Sequence, residues 1–334
     1  GIARLENGRF RTYTTRDGLP SDVVQALLVA GDGSLFVGTN GGGLGRLREG
    51  RFRTWGAAEG LPSLRIYALF EESPGSILVG TDGGGLVRWR DGRIEPLGED
   101  RVPARTVYDI SPASGGGAWV GTAGEGLFRI RGGRARGVTR GDGLYDGLVG
   151  RVIEDGLGNV WMSSNRGSFR VPLRELDAFL EGRARRVTSV AYGVADGMRS
   201  PECNGGFRPA GWRASDGRIW IPTIRGVSVV DPSKLRENRV APRVRIEGSR
   251  VDGGGRPLSG VLELSPSARS LEIDYTAPSF VSPRSLRFRY RLEGFEDEWV
   301  EAGSRRTAYY TNLPPGDYAF VVTATNADGV TADS

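Results

Sequence analysis

Leu35-Phe36-Val37-Gly38-Thr39-Asn40-Gly41-Gly42-Gly43-Leu44 reads as a short apolar strand ending in Gly-Thr, a glycine-rich hairpin, and the start of a second strand. Close copies of its first half are Ile77-Leu78-Val79-Gly80-Thr81, Ala118-Trp119-Val120-Gly121-Thr122, Val160-Trp161-Met162-Ser163-Ser164 and Ile219-Trp220-Ile221-Pro222-Thr223. The fourth position of the phrase falls at 38, 80, 121, 163 and 222, so the spacings are 42, 41, 42 and 59. A period near forty built of strands is the sequence signature of a β-propeller, in which each repeat is one four-stranded blade that cannot bury its faces alone. Strand alternation puts Phe36, Leu78, Trp119, Trp161 and Trp220 in one column, expected to pack between neighbouring blades as structural residues.

Working outward from the first copy, Val23–Ala30 supplies an inner strand and Asp32-Gly33 a turn. Leu44–Arg48 and Arg51–Trp55 follow the hairpin, joined by Glu49-Gly50. A second phrase precedes most blades: Asp17-Gly18-Leu19-Pro20, Glu59-Gly60-Leu61-Pro62, Asp142-Gly143-Leu144 and Asp196-Gly197-Met198, with only Val102-Pro103 left of it before the third. In an up-and-down blade both phrases open at the same end, so they are expected to ring one face. Residues 1–15 match the closing strand pair of later repeats, and the chain reads as a cut from a longer protein with five blades and a half blade.

These repeats resemble the two-component regulator propeller repeat over roughly residues 1–235, with blades one and two matching most fully. After Ala241-Pro242 the period stops. Alternating strands are predicted at 243–246, 260–264, 270–275, 286–292 and 318–324, which argue for a β-sandwich of about a hundred residues. The run Tyr290-Arg291-Leu292-Glu293-Gly294-Phe295, then Trp299, then Tyr310 to Tyr318, closely resembles the triple-tyrosine (Y_Y_Y) domain, which is immunoglobulin-like. Tyr290, Tyr310 and Tyr318 are its name-giving tyrosines by that resemblance, and they and Trp299 are expected to pack. The fold class is therefore all-β, with a partial propeller over 1–237 and a Y_Y_Y-like sandwich over 238–334.

The resemblance implies a periplasmic sensor region of an inner-membrane receptor. Its membrane anchor and output module, a hybrid histidine kinase or a diguanylate cyclase, would lie outside this chain. The implied partners are a small-molecule or oligosaccharide ligand and a second copy docking through the sandwich. No cofactor is implied.

Composition narrows the chemistry. Histidine is absent, which removes the usual general base and the commonest zinc ligand. Cys203 is the single cysteine and cannot form an internal disulfide. The net charge of +5 comes almost wholly from arginine, with Lys234 the one lysine; the skew reads as the codon composition of a GC-rich bacterium. Basic residues are spread along the blades without a run of five or more, which argues against nucleic acid. No apolar run approaches eighteen residues.

The competing class is a propeller enzyme acting on carbohydrate, a glycoside hydrolase or lyase. Ser215-Asp216-Gly217-Arg218-Ile219-Trp220 is superficially similar to a sialidase turn, but its serine adjoins the aspartate and no Thr-Trp follows. Asp22, Asp82, Glu125, Asp146 and Glu202 could all lie on the loop face, and any pair could be chosen as acid and base, so no catalytic residue is assigned. The glycine hairpins lack the Lys-Ser/Thr of a nucleotide loop, and the Asp-Gly turns lack the acidic ladder of a calcium loop. The ligand candidates are loop-face positions that differ between blades: Asn40, Arg65, Asp82, Arg105, Glu125, Tyr145, Asp146, Arg166, Arg199, Glu202, Asn204 and Arg225. Arginine forks beside Asn and Asp suit a carboxylated or sugar-like ligand.

Overall fold

The computed structural model describes residues 1–97, 102–235, 238–256, 260–279, 286–326 and 328–332. It divides into two compact units, Gly1–Leu235 and Arg236–Ser334. The first is a succession of antiparallel sheets whose strands pair in sequence order. A hairpin, Ile2–Glu6 with Arg9–Tyr13, comes first. Blade one is Val24–Val29, Leu35–Thr39, Leu44–Arg48 and Arg51–Trp55; blade two is Ile66–Ser73, Ser76–Thr81, Leu86–Arg90 and Arg93–Pro96. Blade three is Val107–Pro112, Ala118–Thr122, Leu127–Arg131 and Arg134–Val138; blade four is Arg151–Glu154, Asn159–Ser164, Gly167–Pro172 and Val190–Tyr192. Blade five has three strands, Trp212–Arg213, Ile219–Thr223 and Gly226–Val230.

The repeated Gly-Thr has a physical cause at each atom. The threonine hydroxyl donates to the carbonyl four residues on, Thr39 to Gly43, Thr81 to Gly85 and Thr122 to Gly126, each at 2.8 Å, which closes the hairpin. The glycine admits the next blade: a Cβ on Gly38 would stand 2.6 Å from Ile66 Cγ2, and one on Gly80 would stand 2.7 Å from Val107 Cγ1. The two phrases meet as well, since the Gly41 and Gly43 amides donate to the Leu64 carbonyl at 3.0 Å. The acids of the second phrase are turn caps: Asp17, Glu59, Asp142 and Asp196 accept from the backbone amides of Thr14, Gly56, Thr139 and Gly193.

Apolar clusters fill the seams between blades. Phe36 packs with Ile66, Leu69 and Trp89 of blade two; Leu78 with Val107 and Ile110 of blade three; Trp119 with Val152 of blade four; Trp161 with Ile219 and Ile221 of blade five. Trp220 departs from this column. It is 39% exposed, and its cross-strand neighbours Trp212 and Val229 are more exposed still, because no further sheet covers that face among the described residues.

Blade four also departs from an all-strand repeat. Where blades one to three have a two-residue turn, Pro172 leads into an α-helix, Leu173–Leu180, before the fourth strand. Much of the 59-residue spacing goes there, and the rest to the connection that includes Met198–Phe207.

Among the described residues the second unit has two sheets. Gly254–Arg256, Arg245–Val251, Ser270–Thr276 and Thr307–Thr311 form one; Val300–Gly303, Arg287–Glu293 and Ala319–Thr325 form the other. Residues 260–264 form no strand, although Leu262 and Leu264 still pack against the core. Tyr275, Phe288, Tyr290 and Tyr310 centre that core, and Trp299 lies under the guanidiniums of Arg289 and Arg291. Each name-giving tyrosine has a hydroxyl partner: Tyr290 accepts from Arg305 at 2.8 Å, Tyr310 donates to Glu296 at 3.1 Å, and Tyr318 donates to the Pro314 carbonyl at 2.7 Å. Tyr310→Phe keeps the ring but leaves Glu296 one donor short, and calorimetry should show a loss of about 1–2 kcal/mol.

Candidate functional site

The inner strands of blades one to three each carry a register shift near their start, between Val24 and Ala26, Ile66 and Ala68, and Val107 and Asp109. Gln25, Tyr67 and Tyr108 are therefore bulged residues, and a bulge re-aims a side chain out of the sheet's alternation. The Tyr67 and Tyr108 rings lie 5.7 Å apart, tilted by 37°. Tyr67 donates its hydroxyl to Asp82 Oδ2 at 3.1 Å, Arg65 donates to the same oxygen at 3.2 Å, and Thr106 donates to Oδ1 at 3.0 Å. Partial burial opposes ionisation of Asp82, yet the Thr106, Arg65 and Tyr67 donors outweigh it and hold the carboxyl below its ordinary value. Burial, then Asp82, raises the Tyr67 phenol.

The connection into blade five crosses this end of the unit. The Cys203 amide donates to the Ser164 carbonyl, the Asn204 amide to Pro222, and Gly206 lies against the rings of Tyr67 and Tyr108. The Arg208 amide then donates to the Gln25 carbonyl at 3.0 Å. Its guanidinium donates to the carbonyls of Leu69 and Ile110 and stands 3.3 Å from Asp109. One residue thus joins the inner strands of blades one, two and three, which locates it on the axis they surround. Asp109, 1% exposed, also accepts from Arg151 at 2.8 Å and from the Val152 amide at 2.8 Å, which brings in blade four. Burial opposes its charge, and Arg151 and Arg208 prevail, so its pKa is lowered. Cys203 is buried, and its thiol is pushed up to about 11, which makes it a poor nucleophile.

The candidate residues fall into local sets. Arg65 and Asp82 are ion-paired, and the Asn40 backbone bridges to Arg65. Arg166 lies 4.9 Å over the Tyr145 ring, and the Tyr145 hydroxyl donates to the Arg166 carbonyl. Glu202 and Asn204 run beside the hairpin that carries Arg225, through the Ile224 amide to Glu202 and the Asn204 amide to Pro222. Asp146 caps its own turn by accepting from Leu148. Glu125 has a buried carboxylate oxygen with no partner. Arg105 and Arg199 are exposed and make no side-chain hydrogen bond among the described residues. Tyr67, Tyr108, Thr106 and Arg208 join the candidate site in the structure and were not among the residues singled out from the sequence. The available signal was a bulky polar residue at the same place in successive inner strands, and an Arg-Pro inside the long connection. Among the described residues no group of acidic, cysteine or histidine side chains could hold a metal.

Comparison with known proteins bears on both units. Residues 279–334 match the Y_Y_Y domain family. Over 195 residues the chain is 24% identical to histidine kinase P4 of Formosa agariphila, spanning 54% of this chain and 13% of that protein. A solved structure, the extracellular domain assigned to the hybrid two-component system BT3049 of B. thetaiotaomicron, covers the whole chain with a TM-score of 0.64 and 19% identity. The chain spans about half of that structure, 51% of its length. Among the described residues no helix is long and apolar enough to cross a membrane.

Proposed function

We propose that this chain is the extracytoplasmic, periplasmic ligand-sensing region of a membrane signalling receptor, whose output is a hybrid two-component kinase or a diguanylate cyclase. The observation that supports the proposal is the joint order of the two units, propeller sheets and then a Y_Y_Y match, in a fold whose whole length aligns with about half of an extracellular domain. The ligand is a small polar molecule or oligosaccharide held at the axial end of the loop face. There the Tyr67 and Tyr108 rings offer a stacking surface, and Arg65 offers a fork for a carboxylate or vicinal hydroxyls. Asp82, satisfied by three donors and held ionised, suits an orienting role and not that of a general acid, which disfavours the enzyme reading.

Signalling then requires that the ligand bind two states of the receptor unequally, with the sandwich carrying the difference, as a homodimer contact or a change of spacing. The test is a thermal-shift screen of the full chain against saccharides, uronic acids, amino acids and peptides, with each hit assayed for turnover. Ligand at a hundredfold over Kd should add about 2.7 kcal/mol of stability and emerge unchanged. Arg65→Ala or Tyr67→Ala should abolish the shift. A hit that is consumed would overturn the proposal in favour of an enzyme.

A further inference from the structure

We infer that the axial site takes an uncharged polyol, a neutral sugar ring, read by a crown of side chains that successive blades contribute from one register. This rests on the sensing role proposed above and names the ligand class for the same site. In blades one to three Val24, Ile66 and Val107 pair with the hairpin threonines Thr39, Thr81 and Thr122, and the residues that follow them are Gln25, Tyr67 and Tyr108. Blade five repeats the register: Cys203 bridges to Thr223, so Asn204 holds the same place. In blade four Arg151 pairs with Ser163 as Ala68 pairs with Gly80, which makes Gly150 the equivalent residue. The backbone agrees one position before the pairing residue, where the carbonyls of Val23, Arg65, Thr106 and Glu202 accept from Asn40, Asp82, Ala123 and Ile224.

These positions converge. The Tyr67 and Tyr108 rings are neighbours, and a Cβ on Gly206, two residues beyond Asn204, would stand 3.6 Å from Tyr108 Cε1 and 3.8 Å from Tyr67 Cζ. Two residues further on, the Arg208 amide holds the Gln25 carbonyl. Gly150 offers no side chain, and Gly205 lies beside it, a Cβ on Gly150 falling 3.5 Å from Gly205 Cα. The connection that carries Asn204 therefore touches the same register in all four preceding blades.

The crown is uncharged, two phenols and two carboxamides. Its backbone pairing is common to the blades while the side chain changes, so folding does not dictate the choice of residue. The Tyr67 hydroxyl is engaged by Asp82, but Gln25, Tyr108 and Asn204 make no side-chain hydrogen bond among the described residues, and all three are partly exposed. A carboxamide both donates and accepts, and so does a sugar hydroxyl, whereas a carboxylate can only accept. The tyrosine rings supply a stacking face for the apolar side of a pyranose. Arg65 and Asp82, which flank Tyr67, are paired at 3.2 Å and compensate each other's charge. Of the two chemistries open to the Arg65 fork, the crown thus selects hydroxyls over a carboxylate.

The full chain is titrated by calorimetry with glucose, galactose, mannose, xylose and their disaccharides, with glucuronic and galacturonic acids as partners that differ only in charge. At least one neutral sugar should bind saturably and about tenfold tighter than its uronic acid, with an affinity that changes less than about twofold between 20 and 200 mM salt. Tyr108→Phe, which removes one hydroxyl, should weaken it about three- to tenfold, and Asn204→Asp, which exchanges a donor for a charged acceptor, about tenfold or more. Neither breaks a hydrogen bond of the unliganded chain, so the melting temperature should not move. Arg51→Ala, on an outer strand of blade one, should leave binding unchanged. A uronic acid bound in preference to its neutral sugar would overturn the inference and leave the sensing role standing. Wild-type affinity in both crown variants, or no saturable binding in any arm, would overturn it as well. A neutral sugar that binds through the crown and is consumed would support the ligand class and remove the sensing role.

Discussion

Asp109→Ala is expected to destabilise the propeller unit by about 3–5 kcal/mol, the range for removing one member of a buried charged network. The carboxylate is the anion between two partly buried guanidiniums, Arg151 and Arg208, and without it both lose their counter-charge together. Arg208 also donates to carbonyls of Leu69 and Ile110 on the innermost strands, whose axial edges pair with no further strand among the described residues. Weakening its seat therefore loosens blades one, two and three at once. Six of the seven tryptophans lie in this unit, so urea unfolding followed by fluorescence reads it selectively. The sign of the pH dependence follows from the lowered pKa of Asp109. A group whose pKa is depressed by folding contributes stability above its unfolded value, about 3.9, and loses it as pH falls through the folded one. Asp109→Asn should thus flatten the acid limb below about pH 4. A variant within about 1 kcal/mol of the parent would show that Arg208 does not clamp the axis.

What the sequence disclosed, and what it withheld, divides along the range of the interactions. Gly38 and Thr39 were readable because their causes recur every forty residues: a hairpin to close and a neighbouring strand to admit. Arg208 was not, because its partners lie 98 and 139 residues away and nothing local demands an arginine there. The helix was hidden for another reason. Leu173-Arg174-Glu175-Leu176-Asp177-Ala178-Phe179-Leu180 carries apolar residues at helical spacing after a proline, but a repeat expected to be all strand masks a change of period. Residues 260–264 show the converse, an alternation that buries its leucines without a partner strand to make a ladder. The candidate site shared the same limit: the loop face followed from topology, while the Tyr67, Asp82 and Thr106 cluster depends on bulges that periodicity does not reveal.

Trp161→Ala is expected to cost about 3–5 kcal/mol, and Trp220→Ala, the same letter of the same repeat, less than about 1 kcal/mol. Trp161 is 1% exposed, stacks on Tyr192 at 5.2 Å, donates to Asp155 at 3.0 Å and packs with Met198, Cys203, Ile219 and Ile221. Its removal opens a cavity in a seam formed by two sheets, and leaves Asp155 without one of its donors. Trp220 sits under the Arg218 guanidinium with much of its ring in water, so alanine there leaves no void and orphans no acceptor. Paired urea melts of the two variants measure the difference directly. Comparable losses would mean that a tryptophan in this position stabilises its own sheet, through strand pairing. A loss confined to Trp161 would place the stabilisation in the seam, which is where a propeller must find it, since each blade has two faces and no core of its own.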